Sequence, residues 1–406
     1  MRILYVTPLW GGFKDLIYGG KSQATGMPAF IGPLRRLVEL GNEIDCVVAA
    51  RKPECGQPLH IGVPWLSEAA LRIVPWSHKG LLSSSASLIR LWRTVTDCLK
   101  NKKYDFVYGH GSVGAVGCMC ANRRGIRTGG RAYGTMYANS LLEKSRLNMA
   151  IRHPLEYGLY AGRKHFLLAT NDGTRGDVVY NSIVKKPHYK FHFLRNGVEF
   201  PEPDRERGGS VGGRPYLLFP ARIAPWKQQH LGVEILHRLQ QMGHTQVQLR
   251  IAGGISSEDY FEKVRGLARD YGLEQNVIYV GSLTQKDLLT SSRNALAVLS
   301  LYRISNLGNV VIEALTAGST VLALNDHSLD ELITDGENGI LVDGPDEAAR
   351  RIEELMLQPE LTESIRRKAR DRAKETFLSW EDRIEIEIGM IYDAVSDGLM
   401  SDQKVA

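Results

Sequence analysis

Short apolar runs alternate with amphipathic stretches from the first residues of the chain. Ile3 to Thr7 is apolar, has β-branched members and is closed by Pro8, which predicts a buried strand. A glycine-bearing loop follows (Gly11, Gly12, Gly19, Gly20). From about Pro28 to Leu40, the residues Phe30, Ile31, Leu34, Leu37, Val38 and Leu40 keep helical spacing, and Gly41 stops the helix. Glu43 to Ala50 (EIDCVVAA) predicts the next strand. Strand, glycine loop, helix, strand is the opening of a parallel sheet covered by helices. More strands are predicted at Tyr104–Tyr108, near Arg127–Ala132 and at Phe166–Thr170. Residues 51–100, Ser-rich at 83–87, are less regular and read as a loop-and-helix excursion.

Between Gly197 and Pro215 the run GVEFPEPDRERGGSVGGRP carries Gly, Pro and charge with almost no apolar periodicity, the composition of a linker. The alternation then restarts. Strands are predicted at Tyr216–Phe219, Val247–Ile251, Val277–Val280, Ala295–Ser300, Thr320–Leu324 and Gly339–Val342. Helices are predicted near Gln229–Met242, Asp259–Tyr271, Gln285–Ser291 and Val310–Ala317. Residues 346–397 read as helical, and Trp380 begins a final helix long enough to cross back to the first half. The predicted organisation is α/β, with two Rossmann-like, doubly wound parallel-sheet domains facing a central cleft. The N-terminal domain spans 1–200, with helix 380–400 packing back on it, and the C-terminal domain spans 201–379.

Composition narrows the function classes. A chain of 406 residues suits two cores. Lys plus Arg exceed Asp plus Glu by six, 51 against 45, which fits phosphorylated ligands or an anionic membrane surface as well as a merely solvated basic surface. No basic tract is interleaved with aromatic residues, which argues against a nucleic-acid partner. The five cysteines (Cys46, Cys55, Cys98, Cys118, Cys120) form no CxxC pair and no metal-ligand spacing, as expected in a reducing compartment. The opening MRILYVTP reads as a buried strand and not a signal peptide, and no apolar run reaches the length of a membrane span. The expected location is the cytoplasm, with peripheral contact at the inner face of the membrane left open.

Three strand-end turns in the second half carry candidate chemistry, since open parallel sheets bind ligands at the carboxyl ends of their strands. ARIAPWK places Arg222 and Lys227 five residues apart just past a predicted strand. Arg offers a planar fork and Lys a point charge, a combination suited to a diphosphate; the bland alternative is a solvated pair. In SNLGNVVIE, Gly308 permits close backbone approach and Asn309 begins a helix whose free N–H groups would attract an anion. Glu313, about one turn in, could accept hydrogen bonds from ribose hydroxyls. Equally, Asn306 or Asn309 could be an ordinary cap and Glu313 a solvated helix residue. The turns at Gly253-Gly254 and at Gly281-Ser282-Leu283 could wall a nucleotide base, although glycine after a strand is common.

The ordered segments ARIAPWKQ, LRIAGG, VIYVGSLTQKDL, SNLGNVVIEALTAGSTVLAL and DELITDGENGILV resemble the donor domain of family-four retaining glycosyltransferases, which have the GT-B fold. The similarity is close over about 215–385. It is looser in the first half, through MRILYVTP, YDFVYGHG and FLRNGV. The resemblance implies that Arg222 and Lys227 hold the donor diphosphate, with Glu313 on the ribose and backbone amides of Leu307 to Asn309 at a phosphate. It implies that Gly19 and Gly20 approach the diphosphate from the other side. Two departures stand out. The family's first signature glutamate is Ser305 here, leaving Ser305 and Asn306 as neutral sugar contacts. Its His-Gly after a central first-domain strand is Tyr133-Gly134. His110, after the preceding strand, is then a candidate acceptor-side catalytic group, with Arg131 and Tyr133 beside the acceptor.

The implied reaction is transfer of a sugar from a nucleotide-diphosphate-sugar, a UDP- or GDP-sugar first, to an acceptor hydroxyl with retention of configuration. No cofactor and no metal are expected, the nucleotide sugar being a co-substrate. The acceptor is open among saccharides, lipid-linked saccharides and small molecules. Arg35, Arg36, Lys100, Lys102, Lys103, Arg123 and Arg124 offer a candidate basic face toward a membrane. Two alternatives share the architecture: a nucleotide-sugar 2-epimerase, and a catalytically silent sugar-nucleotide-binding homologue.

Overall fold

The computed structural model describes residues 1–23, 27–77, 81–135, 145–171, 174–201, 214–302, 309–327 and 329–402. The chain divides into two compact units: Met1–Gly197 together with Trp380–Ala406, and Val198–Ser379.

The first unit is built on seven strands: β1 (Arg2–Pro8), β2 (Glu43–Arg51), β3 (Leu71–Trp76), β4 (Phe106–His110), β5 (Arg127–Ala132), β6 (Phe166–Thr170) and β7 (Lys190–Leu194). They lie in the order β3-β2-β1-β4-β5-β6-β7, and every neighbouring pair is parallel. Helices cover both faces, so central strands such as β4 and β6 are buried along their whole length. That is why their sequences are apolar runs without alternation. The strand order reverses between β1 and β4, and the loops leaving these two strands flank the ligand position expected in such a sheet.

Several elements of this unit were not foreseen in place. Residues 51–100 hold β3 and a helix, Leu81–Asn101, that runs through the Ser-rich stretch. β3 lies at the sheet edge, where Pro75 is tolerated, and its half-exposed pattern hid it. The helix shows its inner face only later, at buried Leu91, Val95 and Leu99. The glycine stretch after β1 contains a helix, Gly11–Ile17, and β7 is a second, partly exposed edge strand.

The second unit repeats the plan with β8 (Tyr216–Pro220), β9 (Gln248–Ala252), β10 (Val277–Gly281), β11 (Ala297–Ser300), β12 (Val321–Leu324) and β13 (Ile340–Val342). Their order is β10-β9-β8-β11-β12-β13, all parallel, with the reversal between β8 and β11. Residues 198–200, assigned to the first half by sequence, go with this unit: Val198 bridges to Ser379, and its N–H donates to the Leu378 carbonyl at 3.0 Å.

The last helix, Trp380–Asp402, belongs to the first unit. Ile388, Ile391 and Ala394 enter the core with Ile3, Tyr5 and Phe30. It lies so close to helix Pro28–Glu39 that a Cβ on Gly32 would meet Ile384 Cδ1 at 2.4 Å. One of its charges goes inward. Glu387 is 1% exposed and accepts a hydrogen bond from the Tyr108 hydroxyl at 2.7 Å and one from Arg383 at 3.2 Å. It also pairs with fully buried Arg131 at 3.5 Å. Among the described residues no helix is long and apolar enough to cross a membrane.

Candidate active site

The carboxyl ends of β8, β9 and β10 are stitched into one surface. Ala221 N–H donates to the Ala252 carbonyl, Ile223 N–H to Gly254, and Gly253 N–H to Gly281, at 2.9, 3.0 and 2.8 Å. Gly253, at φ +144, is required: a Cβ there would stand 2.3 Å from the Ala221 carbonyl oxygen. Gln229, fully buried, donates through Nε2 to the Arg222 carbonyl at 2.9 Å and fixes the turn from below. Ser282 lies beside Gly254, and Leu283 packs on the adjacent core. The ARIAPWK turn and the glycine turns at Gly253-Gly254 and Gly281-Ser282-Leu283 are therefore a single construction.

Arg222 and Lys227 rise from this surface in different surroundings. Arg222 is exposed. The Lys227 ammonium sits between two rings, 4.0 Å from the Trp226 centroid and 3.5 Å from that of Tyr302. Trp226 is 49% exposed and Tyr302 only 3%. Tyr302 follows β11, so this lysine joins the loops leaving β8 and β11, the two strands on either side of the order reversal. Burial, helped by the nearby Arg222 charge, lowers the Lys227 pKa to about 8. A half-desolvated cation is what an incoming phosphate would restore to full charge.

Glu313 projects from helix Asn309–Thr316, and Gln285 Nε2 donates to its Oε1 at 3.5 Å. Burial, with a contribution from the Glu199 charge, raises its pKa to about 7. The bland reading of Glu313 as a solvated helix residue does not hold. Ser305, Asn306, Leu307 and Gly308 lie outside the described residues, and of Asn309 only its place at the helix start is described. Trp226, Tyr302, Gln229 and Gln285 were missed by the sequence reading. Only Trp226, adjacent to the lysine, carried any signal; the others depend on which loops meet in space.

The first-unit candidates are placed differently from expectation. His110 is not a loop residue but the last residue of β4. It is fully buried, stacked on Tyr5 at 4.7 Å, with Nδ1 2.8 Å from the Tyr133 hydroxyl. Burial, reinforced by Arg131, holds its pKa well below the usual histidine value, so it is a neutral ring. A histidine sealed in this aromatic stack cannot meet an acceptor as placed. Arg131 is corrected likewise. Its Nη1 donates to the Ala132 and Leu168 carbonyls and to Thr170 Oγ1, and its plane lies over the Tyr133 ring at 4.4 Å. It holds β5, β6 and the last helix together, with no surface left for an acceptor. Tyr133 itself is partly exposed and packs edge-on to Trp10 at 5.1 Å. Gly19 and Gly20 follow helix Gly11–Ile17, and the loop at 60–62 packs on them: His60 N–H donates to the Ile17 carbonyl at 2.8 Å. Among the described residues no group of three or more His, Cys, Asp or Glu is placed to hold a metal ion.

Two doubly wound parallel sheets, the second with Arg222 and Lys227 beyond the carboxyl end of β8, are the architecture of the GT-B fold. Residues 201–372 match the family described as Glycosyl transferases group 1. A trehalose synthase of Pyrococcus horikoshii is 26% identical over 41% of this chain, which spans only 41% of that protein's length. The putative glycosyltransferase EpsD of Bacillus subtilis is 26% identical over 76% of the chain and 81% of its own. A crystal structure of Anabaena HepE in complex with UDP superposes with a TM-score of 0.64 at 16% identity, covering 99% of this chain and 100% of that one. The chain has the GT-B fold, and its residues 201–372 match the group 1 glycosyl transferase family.

Proposed function

We propose that this protein moves a sugar from a nucleotide-diphosphate-sugar, a UDP- or GDP-sugar, to an acceptor hydroxyl with retention of configuration and without a metal ion. The observation that carries this reading is the Lys227 ammonium, held half-desolvated between Trp226 and Tyr302 where β8 and β11 diverge. Arg222 and Lys227 take the diphosphate, and Glu313 accepts from the ribose hydroxyls. The bond between the sugar's anomeric carbon and the β-phosphate oxygen breaks, and the electron pair leaves with the diphosphate. The acceptor oxygen bonds to the same face of the oxocarbenium-like centre, and its proton passes to the departing phosphate oxygen. The protein contributes positioning and charge stabilisation rather than a strong base, which agrees with His110 being sealed away. UDP in the HepE crystal structure supports a uridine donor.

A thermal-shift screen with UDP, GDP and ADP tests the donor. At about a hundredfold excess over Kd, the matching nucleotide should raise the melting temperature by roughly 5–10 °C. Product analysis with the matching nucleotide sugar and a panel of acceptors should then show a glycoside of unchanged anomeric configuration. No shift with any nucleotide overturns the reading. A shift with no transfer to any acceptor would favour a silent binding protein, and an altered sugar on the nucleotide an epimerase.

The two displaced pKa values predict a narrow pH profile. Glu313 acts as carboxylate, so kcat/KM for the donor rises as pH climbs through about 7; Lys227 acts as ammonium, so it falls above about 8. Glu313→Gln should abolish the acid limb and lower kcat/KM throughout. Because burial raises the carboxyl pKa, the stability of its protonated form is lost as pH rises through about 7, and Glu313→Gln should melt higher than the parent at pH 8. A flat profile from pH 6 to 9 contradicts both assignments.

A further inference from the structure

The chain from β5 to β6 includes two short helices, Arg146–Arg152 and Pro154–Ala161. The first turns Met149 into the core and leaves Leu147 and Ile151 69% and 70% exposed, one helical turn apart. Arg146 and Arg152, at its two ends, are exposed too. From Ser145 to Leu155 there is no carboxylate, and burial shifts the next one, Glu156, toward its neutral form. Among the described residues, another leucine of comparable exposure, Leu357 at 69%, is preceded by Glu353 and Glu354.

The basic face suggested by sequence does not compete for the same role. Arg35 pairs with Glu39, Arg36 with Glu385, Lys102 with Asp45, and Arg123 lies over the Trp92 ring at 4.7 Å. Arg35, Arg36 and Lys102 are thus met by carboxylates within the protein. The helix at 146–152 instead combines two bare aliphatic side chains with two cations in one short surface.

We propose that helix Arg146–Arg152 seats this protein on an anionic lipid bilayer, with Leu147 and Ile151 entering the headgroup–acyl boundary and Arg146 and Arg152 meeting lipid phosphates. Two side chains are far too small a patch for a stable protein partner, which takes about 800 Å² a side. A shallow apolar wedge flanked by cations is enough for reversible membrane contact. The connectivity places the wedge usefully. The helix comes after the carboxyl end of β5, and Pro154–Ala161 leads back toward the start of β6, so the wedge lies on the strand-end side of the first sheet. Tyr133 lies on the same side. Given the sugar-transfer reading, on which this part rests, the acceptor is borne by a lipid.

Co-sedimentation of the full chain with vesicles tests the surface. Vesicles of phosphatidylcholine containing about one-third phosphatidylglycerol should bind it at low salt, binding should weaken at high salt, and neutral phosphatidylcholine vesicles should bind it poorly. The double variant Leu147→Ser, Ile151→Ser should lose at least about tenfold in vesicle affinity, and Arg146→Gln with Arg152→Gln about tenfold. Leu357→Ser should bind as the parent does. Melting temperature and nucleotide-induced shift should be unchanged in all variants. Absence of binding to the anionic vesicles overturns the proposal, as does equal binding by the Leu147/Ile151 variant or equal binding to neutral vesicles. Vesicle binding without any nucleotide shift sinks the sugar-transfer reading alone; a nucleotide shift without vesicle binding sinks only the membrane surface.

Discussion

Lys227→Ala should fold and lose about 10²–10³-fold in sugar transfer, the range for removing one preorganised group that meets developing charge. The ammonium lies 4.0 Å from the Trp226 ring and 3.5 Å from the Tyr302 ring, joining the loops that leave β8 and β11. Its lowered pKa, about 8, shows that the protein pays for its position, so the fold gains little from keeping it there. Alanine should leave the melting temperature unchanged or raised while the UDP-induced shift shrinks. Lys227→Arg keeps the charge, but a planar guanidinium can lie flat on only one of two rings set 75° apart, and transfer should recover only in part. Trp226→Ser, at a half-exposed ring, should return water to the lysine and move the alkaline limb of kcat/KM upward. A folded Lys227→Ala protein with near-normal transfer would remove the site assignment.

The largest structural effect is expected at Glu387. Its carboxylate is the counter-charge for Arg131 and Arg383 and the acceptor for the Tyr108 hydroxyl, all in the interior of the first unit. Glu387→Ala leaves two buried guanidiniums without it, at a cost of about 3–5 kcal/mol. For a unit of this size that lowers the melting temperature by roughly 6–20 °C. Glu387→Gln keeps an acceptor for Tyr108 and should fall in between. In calorimetry the transition of the first unit should move while the nucleotide-sensitive one stays. A Glu387→Ala protein melting within a degree or two of the parent would mean that this network contributes nothing to holding the last helix.

Legibility differed sharply between the two units. In the second, every strand core, the turns bearing Arg222, Lys227, Gly253 and Ser282, and the helix bearing Glu313 could be found from apolar runs and the residues that end them. Buried parallel strands need uninterrupted apolar sequence, and ligand loops follow their carboxyl ends. In the first, the edge strands β3 and β7 escaped notice because a half-exposed strand does not print a continuous apolar run. His110 was misplaced for a related reason, and Arg131, correctly set inside a strand, was given an acceptor-side role because its partners could not be read. A polar residue ending an apolar run looks like the start of a loop unless its partners are known, and here those partners are Tyr133, Thr170 and Glu387.

The amino-acid sequence by itself determined the two parallel sheets, the break between them near residue 200, and the cation pair beyond β8. These depend on local periodicity and on chemistry a few residues wide. Only the tertiary structure decided that Lys227 lies between two rings, that Glu313 is poised near neutral pH, and that Arg131 is a structural cation. Desolvation and pairing are set by whatever groups the fold brings together, and for Tyr108 and Glu387 those groups stand 279 positions apart in the chain.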